Sequence, residues 1–216
     1  HPGRYPVPAR RHRVEEEVRR SRFIATVQRV DSPAAATAFV REVQAEFADA
    51  THNCWAYVAG PPGSTGAIGM SDDGEPHGTA GRPMLTVLLH GSLGDVAGVV
   101  TRYYGGTKLG TGGLVRAYGG ALQEALLAVP RRERVDYVAL LVAVDYASVT
   151  LARLAIAAAE GVTDDETFGT EAEFRLRVDD QHTLRFQGPA EPHFERAAAL
   201  RRKHFPTDDI RSLHPD

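Results

Sequence analysis

Seventeen of the 21 glycines in this 216-residue chain fall between Gly60 and Gly120. Glycine enters backbone conformations closed to other residues, so a dense run marks either a flexible tether or a backbone that turns tightly and approaches other groups closely. A tether lacks apolar periodicity, and this segment has it. Residues 96–104 are β-branched and aromatic, and Leu114, Tyr118, Leu122 and Leu126 follow at helical spacing. The glycines therefore belong to folded structure. Eight of the seventeen sit in two loops, SDDGEPHGTAG over 71–81 and YYGGTKLGTGG over 103–113, with Gly119 and Gly120 on a helix face.

The remaining pattern reads as an α+β protein. Alternation through Val14, Val18, Phe23, Ala25 and Val27 gives strands with a hairpin turning near Arg20 and Ser21. Ser32 caps a helix with Pro33 at its first position and an apolar stripe of Ala36, Phe39, Val40, Val43 and Phe47. A strand follows over 53–59, a short apolar stretch over 67–70, and a helix from about Thr79. Residues 96–104 form a buried strand, and a helix runs from Leu114 until Pro130 ends it. The basic cluster 131–134 reads as a joint between two domains, 1–132 and 133–216. Beyond it the order is strand (135–144), helix (147–160), strand (162–168), strand (171–178) and helix (191–204), the βαββα order of a ferredoxin-like module.

Charge is uneven. The first thirty residues carry a net of +5 and residues 136–216 a net of −6, within a total of −3. Nucleic-acid binding through an overall cationic surface is disfavoured, above all for the C-terminal third, and a local basic groove is not. No apolar run approaches a membrane span, and the polar, Arg-rich start is unlike a signal peptide, so no membrane partner and a cytoplasmic location are expected. The start at His1 is read as a trimmed end or tag remnant. Cys54 is the one cysteine, which rules out an internal disulfide and a multi-thiolate zinc site. A buried, apolar-type role is expected for it in THNCWAY, where His52 and Cys54 share a strand face.

Two segments carry candidate chemistry. In the first, Asp72, Asp73, Glu75 and His77 offer carboxylates and an imidazole for cation binding or acid/base work; the plainer alternative is a turn whose Asp residues bond the backbone and cap the next helix. In the second, a strand runs through a glycine turn into a helix start, which aims backbone N–H groups at an anion. Arg102, Lys108, Gly110, Thr111, Gly112, Gly113 and Arg116 are the candidate anion-binding residues. Neither the Walker nor the GxGxxG spacing is met, and close packing of strand on helix is the alternative. Arg201, Arg202, Lys203 and His204 read as cations answering a helix dipole.

SDDGEPHGTAG, TRYYGGTKLGTGGLVRAYGGAL, THNCWAYVAG and YPVPARRHRVEEEVRRSRFIATV together resemble the IMPACT family, whose bacterial members are YigZ-type proteins, over residues 5–129. The resemblance implies an N-terminal domain like domain 2 of ribosomal protein S5 and a C-terminal ferredoxin-like domain. It implies a noncatalytic binding or regulatory protein linked to translation, contacting RNA, the ribosome or a translation-related protein through a glycine-rich basic cleft. The alternative is an enzyme acting on a phosphorylated or nucleotide-like small molecule with Asp72, Asp73 and Glu75 beside the 105–113 turn. Neither a cofactor nor a metal is expected.

Overall fold

A computed structural model describes residues 4–179. The helix expected over 191–204 and the basic cluster at its end lie outside these residues. The chain divides into two compact units, the first closing at Arg134 and the second opening at Val135, against the expected division after residue 132. Both are mixed α/β with antiparallel sheets.

The first unit is built on five strands, β2 (His12–Val18), β3 (Ser21–Arg29), β4 (His52–Val58), β5 (Ile68–Ser71) and β6 (Val96–Tyr103). Their order is β2-β3-β6-β4-β5, and every neighbouring pair is antiparallel. Helix α1 (Pro33–Glu46) connects β3 to β4. These two strands run in the same direction with β6 inserted between them, a split β-α-β arrangement.

Ser32 Oγ accepts the Ala35 N–H, and Pro33 begins the helix with its missing donor at a position that needs none. The helix buries Ala36, Phe39, Val40 and Val43 against Val30, Ala97 and Val99 on one face of the sheet. Helices α2 (Gly81–His90) and α3 (Thr111–Ala128) cover the other face, where Met84, Leu88, Leu114, Tyr118 and Leu122 meet Phe23, Cys54, Val58 and Val100. Gly98 permits this approach, since a Cβ there would overlap a methyl carbon of Leu122.

Three boundaries differ from the sequence reading. Helix α3 starts at Thr111, one turn before Leu114, because its first turn is Thr-Gly-Gly and presents no apolar side chain to count. Helix α2 starts at Gly81, two residues after Thr79. The basic cluster expected to be a joint is part of a strand, β7 (Arg131–Val135), which pairs with β1 (Arg4–Pro8), a strand the polar and Pro-rich start concealed.

Asp95 ties this ribbon to the sheet. Its backbone is left-handed at φ 46, and its buried carboxylate accepts the Tyr5 hydroxyl at 3.1 Å, the Gly60 N–H at 2.9 Å and the Arg134 guanidinium at 3.0 Å.

In the second unit β8 (Tyr137–Val144) leads through a short 3₁₀ turn, Tyr146–Ser148, to α4 (Val149–Ala158), β9 (Val162–Phe168) and β10 (Ala172–Asp179). The strand order is β8-β10-β9, with β10 antiparallel to both neighbours. Ala152 and Ile156 of α4 pack on Val142, Val144, Phe174, Leu176 and Val178. Among the described residues no helix is long and apolar enough to cross a membrane.

Burial, reinforced by the charge of Asp95, pushes the Tyr5 hydroxyl up from 10.0 to about 12. The fold therefore holds the neutral phenol while the unfolded chain ionises it from about pH 10. Stability from this group is fully present below pH 10 and is lost as pH rises through about 12. Chemical denaturation of Tyr5→Phe is expected to lack that part of the alkaline decline.

Candidate functional site

The loop 71–81 is an internally bonded structure. Asp72 accepts the N–H of Gly78 at 2.8 Å on one oxygen and those of Ala80 and Gly81 at 3.1 and 2.8 Å on the other. One carboxylate thus serves the open donors at the start of α2. Partial burial pushes the Asp72 carboxyl up, and the N–H bonds from Gly78, Gly81 and Ala80 outweigh it, so the group titrates below the ordinary 3.8. Asp73 accepts the Asn53 N–H at 2.6 Å, and its carbonyl accepts from His52 Nδ1 at 2.7 Å. His77 is fully exposed, with Nδ1 3.9 Å from Asp72.

Glu75 points the other way. Its side chain is 3% exposed, and its Oε1 accepts from Arg102 Nη1 at 2.6 Å and from the Tyr118 hydroxyl at 2.7 Å. Alternation along β6 places Arg102 on the same face as Val96 and Val100, so its charge lies under α3 and requires an internal partner. The guanidinium also donates to Ser21 Oγ at 3.2 Å and lies between the rings of Phe23 and Tyr104, 5.6 and 5.5 Å from their centroids.

Tyr118 meets Phe23 edge to face at 5.3 Å. Burial pushes the Tyr118 hydroxyl far up, with the negative charge of Glu75 adding to it. Cys54 is fully buried, its thiol donates to the Asp72 carbonyl, and burial raises its pKa well above the ordinary thiol range. It is a poor nucleophile. Among the described residues no group of three or more His, Cys, Asp or Glu side chains is arranged to hold a metal ion.

Lys108, Gly110, Thr111, Gly112 and Arg116 are exposed at the surface, with Gly113 half-buried, while Arg102 is buried beneath. Gly110 precedes α3 at φ 74 and offers no side-chain cap, so the first N–H groups of the helix face outward. The structure brings two further cations here that the sequence reading did not connect with the loop.

Arg19 and Arg20 form the two-residue turn between β2 and β3, at φ 49 and 66. Glycine and asparagine normally occupy such a turn, and arginine there costs of order 1 kcal/mol per residue. Gly105 lies against this turn, and a Cβ on it would overlap the Arg20 carbonyl. Consecutive arginines at a hairpin turn were the sequence signal for this placement. Among the described residues Arg19, Arg20, Lys108 and Arg116 have no side-chain hydrogen bond or ion-pair partner, whereas Arg11, Arg13 and Arg22 pair with Glu42, Glu46 and Glu15.

Residues 19–126, half of the chain, match the Impact N-terminal domain. The chain belongs to the IMPACT family. It is 52% identical over 120 residues to the IMPACT family member YigZ of Escherichia coli strain K12, covering 56% of this chain and 59% of that protein. It is 45% identical over 147 residues to an IMPACT family member of Haemophilus influenzae, covering 68% of this chain and 71% of that one. A crystal structure described as that of a hypothetical protein superposes with a TM-score of 0.61 at 38% identity, over 81% of this chain and 85% of the other.

Glu75→Ala leaves the Arg102 guanidinium buried without a counter-charge and is expected to lower unfolding stability by about 3–5 kcal/mol, read as a shifted urea midpoint. Asp72 contributes stability that is present above its ordinary 3.8 and lost as pH falls through its depressed folded value. Asp72→Asn is expected to flatten that part of the acid unfolding curve.

Proposed function

We propose that this chain is a noncatalytic binding protein that engages RNA, ribosomal RNA included, through phosphate contacts on the surface made by Arg19, Arg20, Lys108 and Arg116 around the start of α3. The clustering of these unpartnered cations carries the reading. On the same strands Arg13 and Arg22 are matched by Glu46 and Glu15, so leaving these four open keeps their charge available to an outside anion. The open N–H groups of Gly112 and Gly113 add a complementary partial charge at the same place. A cytoplasmic, translation-linked role accords with family membership and with such a partner.

The enzymatic alternative has less support. Asp72 is engaged in capping α2, Asp73 in holding β4, and Glu75 in a closed pair with Arg102, so none of the three carboxylates stands free toward a substrate. For the fold, the split β-α-β of the first unit supports assignment to the ribosomal protein S5 domain 2 class. The β8-β10-β9 order with α4 supports a ferredoxin-like second unit.

The test is binding of an eight-nucleotide uridine RNA, followed by fluorescence anisotropy across a potassium chloride series. Affinity should fall steeply with salt. Because Arg102 is buried, the variant to compare is Arg20→Ala with Lys108→Ala, which should reduce the log–log salt slope by about 1.4 in magnitude. Absent or salt-independent binding overturns the reading.

A further inference from the structure

Strand β2 presents Val14, Glu16 and Val18 to the side covered by α3, and both valines pack on the core. Glu16 interrupts that apolar face with a charge. Opposite it, α3 lines the space with the small residues Gly113, Ala117 and Gly120, so no large side chain fills it, and a cleft of about 370 Å³ remains. Half-buried Val18 and buried Leu109 and Ala117 supply its apolar wall, and exposed Arg19 and Arg116 stand at its charged edge. Among the described residues Glu16, like these two arginines, has no hydrogen-bond or ion-pair partner. Burial pushes its carboxyl up, and the negative charge of Glu124 reinforces this.

These groups specify a ligand. Two guanidinium groups at one edge ask for a phosphate, and apolar walls ask for a flat, poorly hydrated group. A carboxylate among those walls asks for N–H donors on that same group. A nucleotide has both parts. Among the bases, guanine alone offers two adjacent donors, N1–H and the N2 amino group, that both oxygens of one carboxylate can accept. Adenine and cytosine set a ring acceptor beside their amino group, and uracil flanks its single N–H with carbonyls.

We propose that the cleft between β2 and α3 is a guanine-nucleotide pocket, in which Glu16 accepts from N1–H and N2–H and Arg19 and Arg116 hold the phosphate. The proposal rests on the reading of the surrounding surface as phosphate-binding, and it adds base selectivity to it. The guanine belongs either to a free nucleotide or to an unpaired residue of an RNA strand.

The experiment uses the full chain and its Glu16→Gln variant, which keeps the side-chain shape and exposes no new apolar surface. Calorimetric titration with GMP, AMP and IMP reads the free nucleotide, and anisotropy with uridine octamers carrying one central guanosine, one central adenosine or neither reads the strand. The expected result is tighter binding of GMP than of AMP and IMP by about tenfold, or the same preference for the guanosine octamer, with the preference abolished in Glu16→Gln. Discrimination by nucleotides alone assigns the pocket to a free ligand, and discrimination among octamers assigns it to RNA. Equal affinities in both series, or a preference that survives Glu16→Gln, overturns the proposal. Failure of every octamer to bind while GMP is still selected overturns only the RNA-surface reading.

Discussion

The ion pair between Glu75 and Arg102 is the interaction on which the first unit depends. Burying two charges costs several kcal/mol per ion unless each finds a well-placed partner, and here the partners come from separated parts of the chain. Glu75 arrives from the loop 71–81, Arg102 from β6, Tyr118 from α3 and Ser21 from the start of β3. One pair therefore registers two strands, a helix and a loop against each other. A slip of β6 by one residue would bring Tyr103 to the core face and leave Glu75 without its counter-charge, an outcome far less favourable than an ordinary hydrophobic mismatch.

With that pair closed inside, the loops above it are free to serve the surface. Asp72 and Asp73 spend their oxygens on backbone donors of α2 and β4, which fixes the acidic loop without any ligand. The glycine loop is shaped differently. Gly106 and Gly110 adopt φ 83 and 74 with open space where a side chain would stand, while Gly105 is pressed against the Arg20 carbonyl. The glycine excess thus has two physical causes, left-handed turns at an exposed surface and close approach of one backbone to another. Both bring the Arg19 and Arg20 turn beside the start of α3.

Much of the fold was legible. The stripe of α1 with its Ser32 cap, the buried run of β6 and the strand-helix-strand-strand order of the second unit each follow from side-chain periodicity, which reports local conformation directly. Ser32, Phe39 and Val43 sit where their spacing put them. Strands β1 and β7 were not legible, because β1 is five residues long with Pro6 and Pro8 reading as turn signals around its buried Tyr5 and Val7, and β7 is charged and largely exposed. The first turn of α3 was missed for a related reason, since Gly112 and Gly113 have no side chain through which a helical period is expressed.

For the candidate site the division is sharper. The sequence by itself determined which residues carry charge, which backbone positions turn sharply and which chain segments make the site, and those segments are enough to resemble the IMPACT family. Only the tertiary structure decided what each charge answers to. Arg102 and Lys108 stand six residues apart, yet one is buried on Glu75 and the other is open at the surface. Arg19 and Arg116 are far apart in sequence and line the same cleft. The physical reason is that backbone conformation is set largely by neighbouring residues, whereas the energy of a charge depends on burial and on partners that approach only when the sheet and its helices assemble.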